Sequence, residues 1–351
     1  MNKSKKKKVI VALSGGVDSS AAALLLKNQG YEVIGIFMRL IDSSEVLEAG
    51  EAAKRAANFL KIPFYPIDLT REFKKEVIDY FLDSYDKGIT PNPCTRCNPV
   101  IKFGKLLEKR EELGADFLAT GHYSQKHASP SGGSKFNLMR GKDKTKDQSY
   151  FLYGLTEKQL AKIIFPLGEL EKNEVKKMVD TAGIPYLKKE SQDICFLTGD
   201  HNDFLREHLK MKKGLIKDVN GKVLGEHQGL PLYTLGQRRG IEIGGTGPYY
   251  VVELDYKTNT LIVSNKREDK ELLKREFRIR NANWIGDMKG KFPLPCQAVI
   301  RYQHPAVACQ VLEEDMGTYL VKLSAPVRAI TPGQSAVFYE KDIVLGGGEI
   351  V

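Results

Sequence analysis

The residues best suited to chemistry lie in one glycine-rich segment, Ser14-Gly15-Gly16-Val17-Asp18-Ser19-Ser20. A β-branched run, residues 9–13, precedes it and is typical of a strand buried on both faces. An alanine- and leucine-rich run, residues 21–26, follows it and favours a helix. Glycines in such a turn let backbone N–H groups approach a polyanion, and the helix N-terminus adds unpaired amides and the positive end of its dipole. The segment therefore predicts a phosphate-binding site.

This segment differs from the two common nucleotide-binding loops. A Walker-type loop requires a lysine after its glycines, and the dinucleotide fingerprint requires Gly-x-Gly-x-x-Gly; neither pattern occurs here. The segment resembles the Ser-Gly-Gly-x-Asp-Ser signature of the PP-loop ATP pyrophosphatases, which split ATP between its α and β phosphates. The simpler alternative is a glycine turn that only joins a strand to a helix. The strand–loop–helix context argues against that alternative.

Three of the five cysteines suggest sulfur or metal chemistry. Cys94 and Cys97 form a Cys-x-x-Cys pair, and Cys195 is the nearest further cysteine in the sequence. Such a pair has three interpretations: a zinc site, a redox dithiol or an iron–sulfur site. On an ATP pyrophosphatase, we interpret these cysteines, placed on loops, as evidence of sulfur transfer. Cys296 and Cys309 lie in strand-like stretches and are interpreted as small buried hydrophobic residues.

Composition favours a polyanionic partner. The 351 residues include 54 Lys and Arg against 44 Asp and Glu, a net charge of +10. Basic residues alone are weak evidence, because most of them only solvate a surface. No apolar run approaches the roughly 20 residues of a membrane helix. We expect a cytoplasmic protein without a membrane partner.

The order of elements predicts an α/β fold with two β-rich additions. Strand and helix patterns alternate in the first part, which predicts a doubly wound parallel sheet with ligands at the carboxyl ends of its strands. Hairpin signals then predict a small β-rich middle domain, and evenly spaced short strands predict a C-terminal β-barrel or sandwich. The expected domains span residues 1–210, 211–273 and 274–351.

The chain resembles the MnmA-type tRNA 2-thiouridylases, and the match runs nearly end to end. The matching motifs are residues 14–20, 35–38, 90–93, 97–98, 101–103, 119–123, 146–152, 193–196, 225–229, 233–240, 331–339 and 345–348. The resemblance implies ATP-dependent 2-thiolation of the wobble uridine of tRNA. In that reaction the uridine C2 oxygen is adenylated, and sulfur then replaces it with release of AMP and pyrophosphate.

The resemblance also implies roles for individual residues. ATP contacts are expected at Ala12, Leu13, Ser14, Gly15, Gly16, Val17, Asp18, Ser19, Met38 and Gly121. Contacts with the anticodon stem–loop are expected at Asn92, Pro93, Cys94, His122, Lys146, Asp147, Gln148, Arg301, Tyr302 and Gln334, the first three against the target base. Cys97 is the implied nucleophile and Cys195 the implied persulfide carrier. Without the resemblance, each of these residues has a simpler structural interpretation.

Phosphate chemistry brings further expectations. Mg²⁺ bridging the phosphates is expected, with Asp18 as a ligand. Lys146, Arg39 or Arg140 would offset the growing phosphate charge. The base must leave its stack to reach the site. The sulfur donor, sulfide or a persulfide carrier protein, is left open by the sequence.

One position departs from the familiar form of the family. The residue three before the nucleophile is commonly Asp, but here it is Cys94, and Pro99-Val100 replace a common Lys-Glu. Three cysteines can hold three irons of a 4Fe–4S cluster and leave the fourth iron free for hydrosulfide. We therefore expect Cys94, Cys97 and Cys195 to be cluster ligands. The alternative is a persulfide relay in which Cys94 is a bystander.

Two other functions stay open on the residues alone. One is a PP-loop enzyme that adenylates a small-molecule substrate. The other is a non-catalytic, ATP-dependent RNA-binding protein. The intact loop and the three cysteines disfavour both.

Overall fold

The structure, a computed structural model, describes residues 6–129, 135–188, 194–197, 199–241, 243–244, 247–287, 290–315 and 317–351. The first part alternates strands with helices, as the sequence predicts. In chain order its elements are β1 (Lys8–Ala12), α1 (Val17–Asn28), β2 (Glu32–Arg39), α2 (Ser44–Phe59), β3 (Phe64–Asp68), α3 (Thr70–Phe73), α4 (Asp79–Asp86), α5 (Pro93–Cys97), α6 (Leu106–Glu112), β4 (Phe117–Ala119), β5 (Ser124–Ala128), β6 (Phe136–Arg140), α7 (Glu157–Leu160), β7 (Ile163–Ile164), α8 (Lys172–Ala182) and α9 (His201–His208). Two π-helical segments, Lys74–Ile78 and Asn98–Lys105, join helices, and Ser149–Leu152 is a 3₁₀ turn.

The central sheet is parallel and has the order β3-β2-β1-β4-β7. Its strands are buried on both faces: Val9 and Val11 pack with α1, α2 and α8, whereas Ile10 packs with the opposite cluster. The chain moves outward from β1 to β2 and β3, then returns to the other side of β1 as β4. The direction therefore reverses between β1 and β4, and the crevice at their carboxyl ends is where such sheets bind ligands.

Two further sheets follow. The middle sheet has the order β10-β11-β8-β9, built from β8 (Gly214–Asp218), β9 (Val223–His227), β10 (Tyr250–Asp255) and β11 (Thr260–Ser264). The last six strands are β12 (Leu273–Trp284), β13 (Leu294–Val299), β14 (Val307–Glu313), β15 (Tyr319–Arg328), β16 (Ser335–Glu340) and β17 (Ile343–Ile350). They pair in the order β12-β15-β14-β13-β16-β17, and β12 also pairs with β17. The C-terminal unit is thus a closed barrel, which decides between the two predicted forms.

The barrel packs directly on the α/β part. Its residues Val299, Val337 and Tyr339 belong to the same apolar cluster as Ile10 of β1. The hairpin β5–β6, which the sequence did not predict, joins the barrel sheet by pairing with β17: Met139 lies opposite Ile343. Among the described residues, no helix is both long and apolar enough to cross a membrane.

Backbone hydrogen bonds also tie the barrel to the segment before α5. The Thr90 N–H donates to the Pro332 carbonyl at 3.0 Å, and Gln334 Nε2 donates to the Thr90 carbonyl at 3.0 Å. Gly333, between these partners, has a φ of +88°, and a Cβ there would overlap the Ile89 side chain. The approach to α5 is therefore fixed from the barrel side.

Candidate active site

The glycine-rich loop leaves β1 at the point where the sheet reverses direction. Gly15 has a φ of +80°, and a Cβ there would lie 2.5 Å from the Ala49 carbonyl oxygen in α2, so only glycine fits. The Gly15 carbonyl accepts the Leu187 N–H at 2.9 Å. Gly16 is the N-cap of α1, and among the described residues no side chain caps this helix. The N–H groups at the start of α1 are left for a ligand, which is the arrangement of an anion site.

The loop serines divide into two kinds. Ser19 is buried; its Oγ accepts the Ser14 N–H at 3.1 Å and donates to the Gly16 carbonyl at 3.1 Å. Ser14 is exposed, with its Oγ 3.2 Å from Ser19 Oγ. Ser19 therefore holds the loop in shape, while Ser14 presents a hydroxyl to a ligand.

Asp18 has two partners from distant parts of the chain. The Lys172 ammonium lies 2.7 Å from both oxygens of the Asp18 carboxylate. The Tyr123 hydroxyl donates to Asp18 Oδ1 at 2.8 Å. Burial, followed by the Asp18 charge, raises the pKa of Tyr123, so this hydroxyl keeps its proton and donates. The sequence did not single out Lys172, because nothing local links it to the loop.

Gly121 brings the end of β4 against the loop. A Cβ there would lie 2.9 Å from the carbonyl carbon of Asp18 and 3.0 Å from the nitrogen of Ser19. These are backbone atoms at the start of α1, which cannot move aside cheaply. Gly121 is thus a packing neighbour of the loop, at the place where the resemblance expects ATP.

His122 extends this contact away from the loop. Its Nδ1 lies 2.7 Å from Thr120 Oγ1, and its ring packs near the rings of Phe103 and Phe165, with centroids 5.7 and 6.4 Å away. Burial, and then the charge of Lys102, lowers the pKa of His122 to about 3. The ring is therefore neutral at pH 7 and brings no positive charge to the site.

Cys94 and Cys97 lie on a helix, and the expectation that they lie on a loop is wrong. Asn92 is the N-cap of α5, with its Oδ1 accepting the Cys94 N–H at 3.2 Å, and Pro93 is the first helical residue. The helical path then continues without a break through Asn98–Lys105 into α6. An N-cap followed by proline is itself a helix-start signal, which the sequence reasoning took for a turn. With a spacing of three residues, the two cysteines face the same side of the helix.

Lys102 belongs to the cysteine site, although the sequence reasoning gave it no role. Burial alone would lower the pKa of Lys102, but Cys97, Cys94 and Cys195 around it raise it. Burial raises the pKa of Cys97 to about 12, and the charge of Lys102 opposes this rise. At pH 7 the site therefore holds a neutral Cys97 thiol beside a charged ammonium, which is placed to stabilise a sulfur anion. Between the buried Ile101 and Phe103, a half-buried lysine was the available signal.

Cys195 completes the group from a separate segment. It is exposed, in the described stretch 194–197; the predicted motif residues Ser191–Asp193 lie outside the described residues. The donor chemistry suits an iron–sulfur cluster, because three thiols converge on one cation and such clusters are held by Cys thiolates. As they stand, the described side chains form no group of three Cys, His, Asp or Glu arranged to hold a metal ion.

The other residues expected at ATP sit around the same crevice. Ala12 ends β1, Leu13 is buried, and Val17 is the first residue of α1. Met38, in β2, packs against two apolar clusters, which agrees equally with a structural role. Arg39 was expected to offset phosphate charge, but it is paired with Asp42 at 2.6 Å.

The segment 146–148 is held by the end of β4. Asp147 is buried, and it accepts hydrogen bonds from the Gly141 N–H at 3.0 Å and the Ser149 hydroxyl at 2.9 Å. Arg140 is committed to this carboxylate at 3.3 Å and to the ring of Tyr339, so it too is engaged away from the loop. Asp147 therefore has a structural role here.

Lys146 and Gln148, its neighbours in sequence, differ from Asp147. Gln148 Oε1 accepts the Tyr123 N–H at 3.1 Å, and its own N–H donates to the Tyr123 carbonyl at 2.9 Å. Gln148 thus fixes the backbone beside His122. Lys146 is half-buried.

The remaining expected RNA contacts divide between the barrel and its junction with the α/β part. Arg301 is exposed, and its Nη2 donates to the Ala329 carbonyl at 3.3 Å. The Tyr302 ring lies 4.4 Å from the Phe151 ring. Gln334 holds the junction, as described above, and Pro93 is buried. Of this set, Arg301 is a barrel residue with a charge available to RNA.

Comparison with known proteins identifies three family models along the chain. Residues 7–199 match the tRNA methyl transferase HUP domain, residues 202–265 the tRNA methyl transferase PRC-barrel domain, and residues 274–350 the aminomethyltransferase beta-barrel domain. The chain is 44% identical to the tRNA-specific 2-thiouridylase MnmA of Moorella thermoacetica, over 93% of this chain and 94% of that protein. It is 43% identical to the protein of the same name from Listeria monocytogenes, over 93% and 90%.

Replacing Gly121 with alanine should disrupt the loop. We expect ATP affinity to fall at least about tenfold, because the new Cβ must displace the backbone of Asp18 and Ser19. Gly225→Ala is the matched control, since a Cβ at Gly225 meets nothing within 4 Å. Isothermal titration calorimetry with ATP measures both variants. Equal affinities for the two variants would contradict the packing argument.

Proposed function

The chain belongs to the tRNA-specific 2-thiouridylase family, and we propose that it carries out the ATP-dependent 2-thiolation of the wobble uridine of tRNA. The observation that carries the proposal is the row of contacts from the loop to the cysteines. Gly121 packs on the loop backbone, His122 feels the charge of Lys102, and Lys102 faces Cys97. A phosphate site and a sulfur site therefore belong to one crevice. We also propose the domain limits 1–210, 211–273 and 274–351.

The proposed chemistry has two steps. The uridine C2 oxygen attacks the α phosphorus of ATP, the bond from that phosphorus to the bridging oxygen breaks, and pyrophosphate leaves with the electron pair. A sulfur nucleophile then adds at C2, the C2–O bond breaks, and AMP leaves. Adenylation is needed because a carbonyl oxygen is a poor leaving group. The uncapped start of α1 and the Ser14 hydroxyl support phosphate binding at the loop.

Asp18 and the other loop residues have proposed parts in this step. The loop backbone and the strand ends hold the nucleotide, and the Asp18 carboxylate suits Mg²⁺, which prefers carboxylate and phosphate oxygens. The proposed nucleotide contacts are Ala12, Leu13, Ser14, Gly15, Gly16, Val17, Asp18, Ser19, Met38 and Gly121.

The sulfur site uses three cysteines and one cation. We propose that Cys94, Cys97 and Cys195 handle the sulfur and that they hold a 4Fe–4S cluster. Bound there, a cluster with three thiolate ligands has an open iron that can bind hydrosulfide. Lys102 balances the negative charge that thiolates would bring into a buried site.

The tRNA partner is supported by charge. The net charge of +10 favours a polyanion, and the target base must be extruded from its stack to reach the crevice. Asn92, Cys94 and His122 lie at the crevice, and Arg301 offers a phosphate contact on the barrel. A small-molecule PP-loop enzyme would have no use for that surface.

The products test the proposed reaction. We expect tRNA-dependent release of AMP and pyrophosphate and formation of 2-thiouridine, measured by mass spectrometry of tRNA nucleosides. Ser14→Ala should lower turnover about 100-fold or more, because a phosphate donor is lost, and leave tRNA binding intact. Ser44→Ala, on α2, is the control. Detection of ADP and phosphate would refute the proposal, since the wrong bond would be broken.

Arg301→Ala tests the RNA surface. Loss of one phosphate contact should weaken tRNA binding and reduce the slope of log K against log salt by about 1. Arg275→Ala is a control for net charge; Arg275 also lies on the barrel and donates to a backbone carbonyl, that of Ser324 at 3.4 Å. Filter binding at several salt concentrations measures both. Identical behaviour of the two variants would show that only total charge matters.

Anaerobic purification tests the cluster. The protein should be brown and contain about four irons and four sulfides per chain. Cys94→Ser should lose iron, whereas Cys309→Ser, in β14, should keep it. A colourless, iron-free enzyme that thiolates tRNA at full rate, and in which Cys94→Asp is harmless, would favour the persulfide relay.

A further inference from the structure

The glycine-rich loop lacks a cation of its own. Residues 13–20 contain no lysine or arginine, and their one charged residue, Asp18, is acidic. A helix N-terminus offers only about half a positive charge, whereas ATP brings several negative charges. An acidic side chain in the first turn of α1 opposes such a ligand unless a cation neutralises it.

The structure supplies that cation from far along the chain. Lys172 is the first residue of α8, and its ammonium contacts both Asp18 oxygens at 2.7 Å. Neither partner is sealed in the core: the two side chains are 23% and 33% exposed. The ammonium can therefore meet a ligand that enters at the start of α1.

The base of the lysine is also fixed. Its backbone N–H donates to Asp143 Oδ2 at 3.1 Å, while the Thr145 hydroxyl donates to Asp143 Oδ1 at 2.6 Å. The start of α8 is thereby held beside α1. The two arginines that the sequence reasoning offered for this task, Arg39 and Arg140, are engaged with Asp42 and Asp147.

We propose that Lys172 is the phosphate-binding cation of this loop, the counterpart of the lysine that a Walker-type loop carries within its own sequence. In the nucleotide-free protein it is held on Asp18. With ATP bound, it contacts phosphate oxygens and stabilises the pyrophosphate that leaves when the bond to the α phosphorus breaks. The inference rests on the proposed function for its substrate.

Binding of inorganic pyrophosphate, ATP and AMP to the full chain tests this role without tRNA. Lys172→Met keeps most of the side-chain volume and should weaken pyrophosphate and ATP binding about 10- to 100-fold while leaving AMP within about twofold. Lys172→Arg should retain most of the affinity. Lys142→Met is the control: Lys142 pairs with Glu171 and Glu174 at the same helix start but not with the loop.

Asp18→Asn provides the opposite test. In metal-free buffer, pyrophosphate should bind this variant severalfold more tightly than the wild type, because Lys172 loses its competing carboxylate. The double variant Asp18→Asn with Lys172→Met should lose that gain.

Two results would overturn the role of Lys172. One is a Lys172→Met variant with a lower melting temperature but unchanged selectivity among the three ligands, which would make the ion pair purely structural. The other, informative even if Lys172→Met does not fold, is no gain in pyrophosphate affinity for Asp18→Asn. Failure of the wild type to thiolate tRNA would refute the proposed function instead, since these binding measurements contain no tRNA.

Discussion

The site depends on how closely two backbone segments pack where the sheet reverses direction. β1 and β4 are neighbours, so the loops that leave them must meet, and at Gly121 they meet with no space for a side chain. Interiors packed at this density transmit position rather than absorb it. The place of His122, and through it the place of Lys102, is therefore fixed relative to the start of α1. Nucleotide and sulfur chemistry share one packed unit because the sheet topology leaves no other arrangement for these strand ends.

Electrostatics in this unit keep the resting sulfur inactive. A Cys97 pKa of about 12 leaves about one thiolate in 10⁵ at pH 7. Lys102 stays charged, and His122 stays neutral because burial and Lys102 both oppose its protonation. The site therefore offers one positive charge to whatever negative charge arrives first. A thiolate becomes favourable only when a ligand, a metal or an activated substrate changes that balance.

The sequence predicted the features that depend on local pattern and missed those that depend on distant contacts. The strand–loop–helix unit at residues 9–26 and the β-rich additions follow from periodicity and turn residues. Lys172 could not be found in this way, because its partner Asp18 is brought to it by the packing of α8 on α1. The hairpin β5–β6 was missed for the same kind of reason. Its residues 124–128 are mostly polar, and the pairing with β17 that stabilises it joins segments from opposite ends of the chain.

That hairpin also shows why the barrel is part of the site and not an appendage. It begins directly after Tyr123, whose hydroxyl holds Asp18, and it continues into the barrel sheet. Val299 and Val337 of the barrel pack on the face of the parallel sheet, so the two units share one core. If tRNA docks on the barrel as proposed, the distance from that surface to the crevice is set by core packing rather than by a linker. Such rigidity suits an enzyme that must place one extruded base against both a phosphorus atom and a sulfur atom, because catalysis by positioning fails when the reacting groups are displaced by about an ångström.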